Sequence, residues 1–262
     1  MSLLIWIILF CLVGGVLSVL AASMFLLIPD KQQQRLLPHM VSFAIGALLS
    51  AAFLALLPHA INYPGVGDVH DVTFTVLLGI LGFFVLEKMV LWRHCHSHDC
   101  EVHGEEQAHG HGEDKARSMM ILIGDGMHNM VDGVLIAAAF LTDFHLGVVT
   151  SVAVATHEIP QELGDFSILL HSGYSRMKAL IFNVLASLTT VIGGVAAYYG
   201  LQDAQGAVPY VLAIAAASFI YIAVADLIPS LHRRTEVRVS LQQITLISLG
   251  VITIYLAHST LH

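Results

Sequence analysis

The segment GDGMHNMVDG, at residues 124–133, places four polar side chains inside one of the most apolar parts of the chain. They are Asp125, His128, Asn129 and Asp132. A second segment, THEIPQELGDF at residues 156–166, adds further acids and a histidine to another apolar run. Ionisable groups inside a membrane span are costly unless they face a protein interior, a wet cavity or a cation. These two segments therefore decide the class of fold and indicate where the function resides.

The composition places the chain in a membrane. Its 262 residues are 56% hydrophobic and only 11% charged, and the mean hydropathy is +0.79. A soluble domain carries about 25% charged residues, so this chain is expected to be integral to a lipid bilayer. The net charge of −8 does not indicate an acidic soluble protein, because much of the acid lies in one loop and inside apolar runs. Eleven Lys and Arg residues are too few for a nucleic-acid-binding surface, and no nucleic-acid partner is expected.

Eight segments are long and apolar enough to cross a bilayer as helices, which requires about 20 residues each. The sequence therefore predicts an all-α polytopic membrane protein, formed as a single transmembrane domain over residues 1–262. The predicted spans are 3–28, 38–60, 71–93, 117–141, 146–171, 177–200, 207–229 and 239–260.

The positions of the basic residues predict the orientation. With eight spans, all eleven Lys and Arg residues fall on one side of the membrane, which the positive-inside rule makes the cytoplasmic side. Both termini are then extracytoplasmic, and the His-rich loop at residues 94–116 is cytoplasmic. The cell membrane, plasma or inner, is the expected location.

Five acids lie in the fourth and fifth spans, and neither span has a Lys or Arg in its middle. A charge at the centre of a span costs roughly 2.5–3.5 kcal/mol. Five would cost on the order of 12–17 kcal/mol, which is comparable to the stability of a whole domain. Such acids must face the bundle interior or a wet cavity, be protonated, or meet a cation. The acids are Asp125, Asp132, Glu158, Glu162 and Asp165.

The helical spacing of these residues favours a metal ion. Residues four apart, such as His128 and Asp132 or Glu158 and Glu162, have Cβ atoms about 5–6 Å apart on one helix face. Both side chains of such a pair can reach one ion at ligand distances near 2 Å. Imidazole with carboxylate suits Zn²⁺ or Fe²⁺, and carboxylate with amide oxygens also suits Mn²⁺.

Each polar residue also has a structural explanation. A single intramembrane histidine is more often a hydrogen-bonded core residue than a ligand. Asp125 could be an N-terminal helix group, Asp165 could lie near a wet helix end, and Pro160 could only kink the fifth helix. Taken singly, the structural and ligand explanations carry equal weight. Nine such residues on two arcs that can face each other favour the ligand explanation.

The motifs HNMVDG and HEIPQE resemble those of the ZIP (Zrt/Irt-like) metal transporters. The nearest pattern is that of the subfamily with HNxxDG in its fourth helix and HExPHE in its fifth. The segment EKMVLWRHCHSHDCEVHG resembles the end of that subfamily's third helix and its histidine-rich loop. The resemblance extends over essentially the whole chain in order, and the pair of helix motifs is specific.

This resemblance implies eight transmembrane helices with helices 4 and 5 central, both termini outside, and an elevator-like motion in a possible homodimer. The implied activity is uptake of zinc, or in some members iron, manganese or cadmium, toward the cytoplasm through a binuclear site between helices 4 and 5. Gln161 departs from the family pattern, which has histidine there. The ligands carried over are His128, Asn129, Asp132, His157, Glu158, Gln161 and Glu162.

The expected function is therefore transport of divalent transition-metal ions, zinc foremost, and not enzymatic catalysis. The alternative is an intramembrane zinc-dependent hydrolase, because HEIPQ partly matches the HExxH zinc motif. Against it, Gln161 replaces the second histidine. His59 and His70 bracket an outward loop and are candidates for a site where metal enters. The His-rich loop either buffers metal or is a solvated linker.

Overall fold

The computed structural model of the chain describes residues 2–94, 111–232 and 236–261. Within these ranges it contains helices and short connections and no strand. Most of the predicted His-rich loop falls on residues 95–110 and lies outside the described residues. The helices are α1 Leu3–Phe25, α2 Asp30–Ile61, α3 Val69–His94, α4 His111–Thr142, α5 Phe144–His171, α6 Arg176–Asp203, α7 Gln205–Leu231 and α8 Val237–Leu261.

Seven of these helices, as described, are long and apolar enough to cross a membrane. The exception is α5, which has 28 residues but carries the polar motif HEIPQE in its second half. His157, Glu158 and Glu162 of this motif are buried within the protein, and Gln161 is partly exposed. The prediction of an all-α polytopic membrane protein is confirmed.

Two helix boundaries differ from those drawn on hydropathy. The second helix begins at Asp30, eight residues before the apolar run, and Pro38 lies inside it. Gln, Lys and Arg are good helix formers, so the helix continues out of its apolar part. Only Asp143 separates α4 from α5. Its carboxylate caps α5 by accepting hydrogen bonds from the backbone N–H groups of His145 and Leu146, at 2.8 and 3.0 Å.

Glycines allow α4 and α6 to pack with their backbones in contact. A Cβ atom on Gly133 of α4 would overlap the carbonyl oxygen of Thr190 on α6. Reciprocally, a Cβ atom on Gly193 of α6 would overlap the carbonyl oxygen of Met130 on α4. Small residues at helix interfaces are a common means of close approach in membranes. This contact fixes α4, which carries half of the candidate site.

The helices α2 and α8 pack in the same manner through Gly46 and Gly250. Gly46 lies against Ile247, and Ser50 donates a hydrogen bond to the Val251 carbonyl at 3.3 Å. Residue numbers increase together along both helices, so α2 and α8 run parallel. Odd-numbered helices therefore end, and even-numbered helices begin, at one end of the bundle. We call it the basic end, because in the sequence every Lys and Arg falls in or beside a segment that joins an odd-numbered helix to the following even-numbered one.

Candidate metal centre

Two imidazoles and two carboxylates from α4 and α5 meet in the interior of the bundle. The Nε2 atoms of His128 and His157 lie 3.5 Å apart. The Nε2 atom of His128 lies 3.4 Å from Oε1 of Glu158 and 3.7 Å from Oδ2 of Asp132. The Nε2 atom of His157 lies 3.5 Å from each of the same two oxygens. All four atoms lie within 4.8 Å of one another.

These separations match a tetrahedral ligand shell. Zinc binds nitrogen and oxygen at about 2.0–2.2 Å, and a tetrahedron of that radius has edges of about 3.3–3.6 Å. Five of the six distances among the four atoms are 3.4–3.7 Å. An ion at the centre of the cluster would therefore meet four ligands with little side-chain movement.

Helix geometry explains why these four groups converge. His128 and Asp132 are four residues apart on α4 and share one face, whereas His157 and Glu158 are adjacent on α5. Asp132, His157 and Glu158 have side chains at most 1% exposed, and the His128 side chain is 22% exposed. Three of the four groups are thus enclosed by protein, and His128 is the partly exposed one.

The backbone fixes the orientation of one imidazole. Nδ1 of His157 lies 3.1 Å from the carbonyl oxygen of Ala153, one turn earlier on α5. A carbonyl can only accept a hydrogen bond, so Nδ1 carries the proton and Nε2 presents its lone pair to the cluster. Metal-binding histidines are commonly oriented in this way by a hydrogen bond from the other ring nitrogen. Phe219 of α7 packs edge-on against the His157 ring.

The side chain of Asn129 is bound to residues outside the four-atom cluster. Its side-chain NH₂ donates to Oδ1 of Asp125 at 2.9 Å, and its Oδ1 accepts from the Thr190 hydroxyl at 2.8 Å. Asn129 therefore links α4 to α6 in this conformation. Asn129 was predicted as a ligand, but its side chain does not belong to the four-atom cluster.

Gln161 and Glu162 lie on α5 beyond the cluster. Gln161 is partly exposed and lines a cavity next to His128 and His157. Glu162 is fully buried, and within the described part of the chain neither of its carboxylate oxygens has a hydrogen-bond partner. Asn183 of α6 is also buried without a partner there. Buried polar groups are normally paired, and carboxylate and amide oxygens are groups that can bind a cation.

A cavity of about 670 Å³ connects the cluster with the basic end of the bundle. Its wall is formed by the beginning of α2 and the ends of α3 and α7, together with α4 and α5. Pro160 also lines it, and because proline has no N–H, the carbonyl of Thr156 lacks its usual helical donor. Among its lining residues are Glu87, His128, His157, Gln161, Ser218, Tyr221 and Asp226.

The opposite side of the cluster is closed. From Asp132, α4 continues through Leu135, Ile136 and three alanines, all of which are buried. The facing part of α2 contributes further buried residues with small or apolar side chains. They are Ala51, Ala52, Ala55 and Leu56. Among the described residues, the cluster thus adjoins a cavity toward the basic end and buried small or apolar side chains on the opposite side.

Some of this wall was not predicted from the sequence. In this wall, the Tyr221 hydroxyl of α7 donates a hydrogen bond to the carboxylate of Glu87 on α3. Ser218 and Tyr221 sit in an apolar run, and no motif or spacing marks them. Only the packing of α7 against α3 brings them to the cavity.

Comparison with known proteins identifies the family. The sequence model of the ZIP zinc transporters matches residues 1–258. The zinc transporter ZIP13 of Pongo abelii is 31% identical over 232 residues, covering 84% of this chain and 66% of that protein. The zinc transporter zipt-7.2 of Caenorhabditis elegans is 31% identical over 300 residues, covering 93% and 64%.

The zinc transporter YKE4 of Saccharomyces cerevisiae is 29% identical over 214 residues, covering 73% of this chain and 60% of that protein. The chain thus spans 60–66% of the length of these three relatives. With a match that extends from residue 1 to residue 258, the chain belongs to the ZIP zinc transporter family.

Proposed function

We propose that this protein carries divalent transition-metal ions across a membrane, with zinc as the principal cargo. The observation that carries the proposal is the tetrahedral set of two imidazoles and two carboxylates between α4 and α5. Relatives named as zinc transporters support the same cargo. Iron, manganese and cadmium are proposed as competing cargoes, because a mixed nitrogen and oxygen site admits them as well.

The buried charge explains why an ion would enter this site. Asp132 and Glu158 lie inside the protein with only imidazoles beside them in the cluster. A buried carboxylate without a cation is costly. A dication balances both charges and exchanges its water ligands for four protein ligands. Such a site holds an ion in transit while shielding it from the surrounding lipid.

We propose a second ion position beside the first. In the described residues, Oδ1 of Asp132 and Oε2 of Glu158 have no hydrogen-bond partner. Each carboxylate can therefore bind one ion through each of its oxygens and bridge two ions. The coordination of the second ion would be completed by Asn129, Gln161 and Glu162, once Asn129 leaves its contacts with α6. The amide at Gln161 predicts a weaker second position than an imidazole would give.

The proposed direction is toward the basic end, which the positive-inside rule places in the cytoplasm. The cavity at that end and the closed packing at the other support an inward-open conformation. Uptake then requires a second conformation in which the cluster opens to the outside, and an elevator-like movement of one helix group along the other provides it. Both termini would lie outside the cell membrane.

The hydrolase alternative has little support from the site. In the HExxH motif, two histidines one turn apart bind zinc and the glutamate acts as the base. Here Gln161 replaces the second histidine, and Glu158 lies in the cluster, with Oε1 3.4 Å from His128. A glutamate in a ligand position is not available as the general base. The two imidazoles come from different helices, as expected for a site that holds an ion between them.

Zinc uptake into proteoliposomes tests the proposal. His128→Ala and Glu158→Gln should each reduce saturable zinc flux to background, because each removes one of four ligands. His171→Ala is the matched control, since this histidine is exposed at the end of α5 and should leave flux unchanged. Wild-type flux in both ligand variants would contradict the proposal, and release of a cleaved peptide without flux would support the hydrolase.

We also propose that the transporting unit is a homodimer. Several apolar side chains on α3 are exposed and face lipid or a second copy. Mass measurement in detergent micelles at defined protein concentrations distinguishes a monomer from a dimer. A monomer with full transport activity would contradict the dimer without affecting the proposed cargo.

A further inference from the structure

A second pair of histidines has the same ring geometry as the central pair. The ring centroids of His59 and His258 are 5.5 Å apart at an interplanar angle of 74°. Those of His128 and His157 are 5.7 Å apart at the same angle. His59 lies near the end of α2 and His258 near the end of α8, so the second pair lies at the end of the bundle opposite the basic end.

This geometry fits two imidazoles that share one ion. A zinc–nitrogen bond of about 2.0–2.1 Å places the centroid of a coordinated imidazole about 3.1–3.3 Å from the metal. Two such rings at the tetrahedral angle have centroids about 5.1–5.3 Å apart. The observed centroid separation of 5.5 Å is close to this range.

The backbone orients His59 as it orients His157. Nδ1 of His59 lies 2.8 Å from the carbonyl oxygen of Ala55, four residues earlier on the same helix. The corresponding contact of His157 is with Ala153, also four residues earlier. In both cases the carbonyl requires the proton on Nδ1, so Nε2 carries the lone pair that binds a metal.

The surroundings of this pair suit the arrival of a cation. His59 lines a cavity of about 520 Å³ together with Asn62 and Tyr63 from the α2 end, Leu141 from the α4 end and Gln205 from the α7 start. In the eight-span arrangement, no Lys or Arg of the sequence falls at this end. The α4 end leads along one helix back to Asp132 of the central cluster.

We propose that His59 and His258 form a capture site for divalent transition-metal ions at the outer end of the bundle, with water completing the coordination. Its role in uptake rests on the proposed transport function, but its existence as a metal site does not. Two imidazoles with water as the remaining ligands would bind an ion reversibly, which suits a site that passes the ion onward.

Residue-resolved protection of histidines measures the site separately from transport. The purified full-length protein is treated with diethyl pyrocarbonate with and without Zn²⁺, and modification of each histidine is read by mass spectrometry. A His128→Ala/Glu158→Gln background removes the central cluster from the measurement. Zinc should protect His59 and His258 over one concentration range, and His258→Gln should abolish the protection of His59.

Protection of His59 that persists in His258→Gln would overturn the shared site, as would the absence of protection or of any modification of both rings. The matched control is His70→Gln on the same face. The His70 side chain is 92% exposed and lies beside Asp68, whose pKa is lowered by a hydrogen bond from the backbone N–H of His70. His70→Gln should leave the protection of His59 and His258 unchanged.

The role in uptake has its own measurement in the protein with an intact central cluster. His59→Gln and His258→Gln should each raise the KM for zinc by about tenfold, a loss typical of weakened metal coordination, at an unchanged maximal rate. His70→Gln should change neither value. Protection without a change in KM would leave a metal site that does not serve uptake, and would overturn the capture role alone.

Discussion

The two histidine pairs have nearly the same ring geometry in very different surroundings. The central pair is enclosed by α4 and α5 and lies within 3.7 Å of two carboxylate oxygens. The outer pair is partly exposed, and the described residues that line the cavity beside His59 are neutral. A pair of imidazoles contributed by two different helices thus occurs twice among the described residues. The carboxylates and the deeper burial distinguish the central site, proposed to hold a desolvated ion, from the outer site, proposed to bind the ion on arrival.

The comparison also explains the cost of each arrangement. A neutral imidazole can be partly buried at little cost when its Nδ1 donates to a backbone carbonyl, as in His59 and His157. An ionised carboxylate is far more costly to bury, because it carries a charge that must be balanced. The proposed central site therefore gains more from a bound cation than the proposed outer site does.

The largest predicted effect comes from removing the charge that distinguishes the two pairs. Asp132→Asn with Glu158→Gln keeps both central imidazoles and the volume of the side chains but removes two negative charges. We expect the zinc affinity of the central site to fall by at least about 100-fold and uptake to reach background. Titration with zinc, combined with flux in proteoliposomes, measures both.

Asp203→Asn is the control for this double variant, because Asp203 is exposed at the end of α6. It should retain wild-type affinity and flux. If the double variant still transports zinc at the wild-type rate, the imidazoles alone would hold the ion, and the distinction between the two pairs would be wrong.

A smaller effect is predicted for Gln161→His, which adds an imidazole to the cavity wall beside the central pair. A stronger ligand at this position should lower the KM for zinc by about tenfold and slow release into the cavity, so the maximal rate falls. Gln32→His, at an exposed position near the start of α2, should change neither value. An unchanged KM in Gln161→His would place residue 161 outside the path of the ion.

Sequence patterns predicted the fold class because eight apolar runs and one-sided basic residues leave few arrangements. They also indicated the four groups that meet in the cluster, since the spacing of His128 with Asp132 is a property of a single helix. They could not predict the hydrogen bonds of Asn129, which depend on the close contact between α4 and α6. Polar contacts between helices are set by packing, which one helix's periodicity does not contain.

The outer pair shows the same limit. From the sequence, His59 was joined with His70, because the two bracket one loop. The structure places His59 against His258 instead, 199 residues away in the chain, while His70 lies beside Asp68. This pairing follows from the parallel packing of α2 and α8 through Gly46 and Gly250. The glycines were visible in the sequence, but nothing in it indicated which helices they join.

The smallest effect is predicted for a variant that introduces a carboxylate near the outer pair. Asn62 follows the end of α2, about one helical turn after His59, and lines the same cavity as His59. Its side-chain NH₂ donates a hydrogen bond to the Pro58 carbonyl at 2.8 Å. Asn62→Asp introduces a carboxylate near the imidazoles and should lower the KM for zinc about threefold, corresponding to well under 1.4 kcal/mol.

Asn62→Ser is the control for this last change, because it also loses the amide donor to Pro58 but adds no charge. Flux at low zinc concentration should rise in Asn62→Asp only, and His59→Gln in the same chain should cancel the gain. An equal gain in Asn62→Ser, or a gain that survives His59→Gln, would show that the added charge acts without the outer pair. The two histidine pairs would then not be two stages of one path.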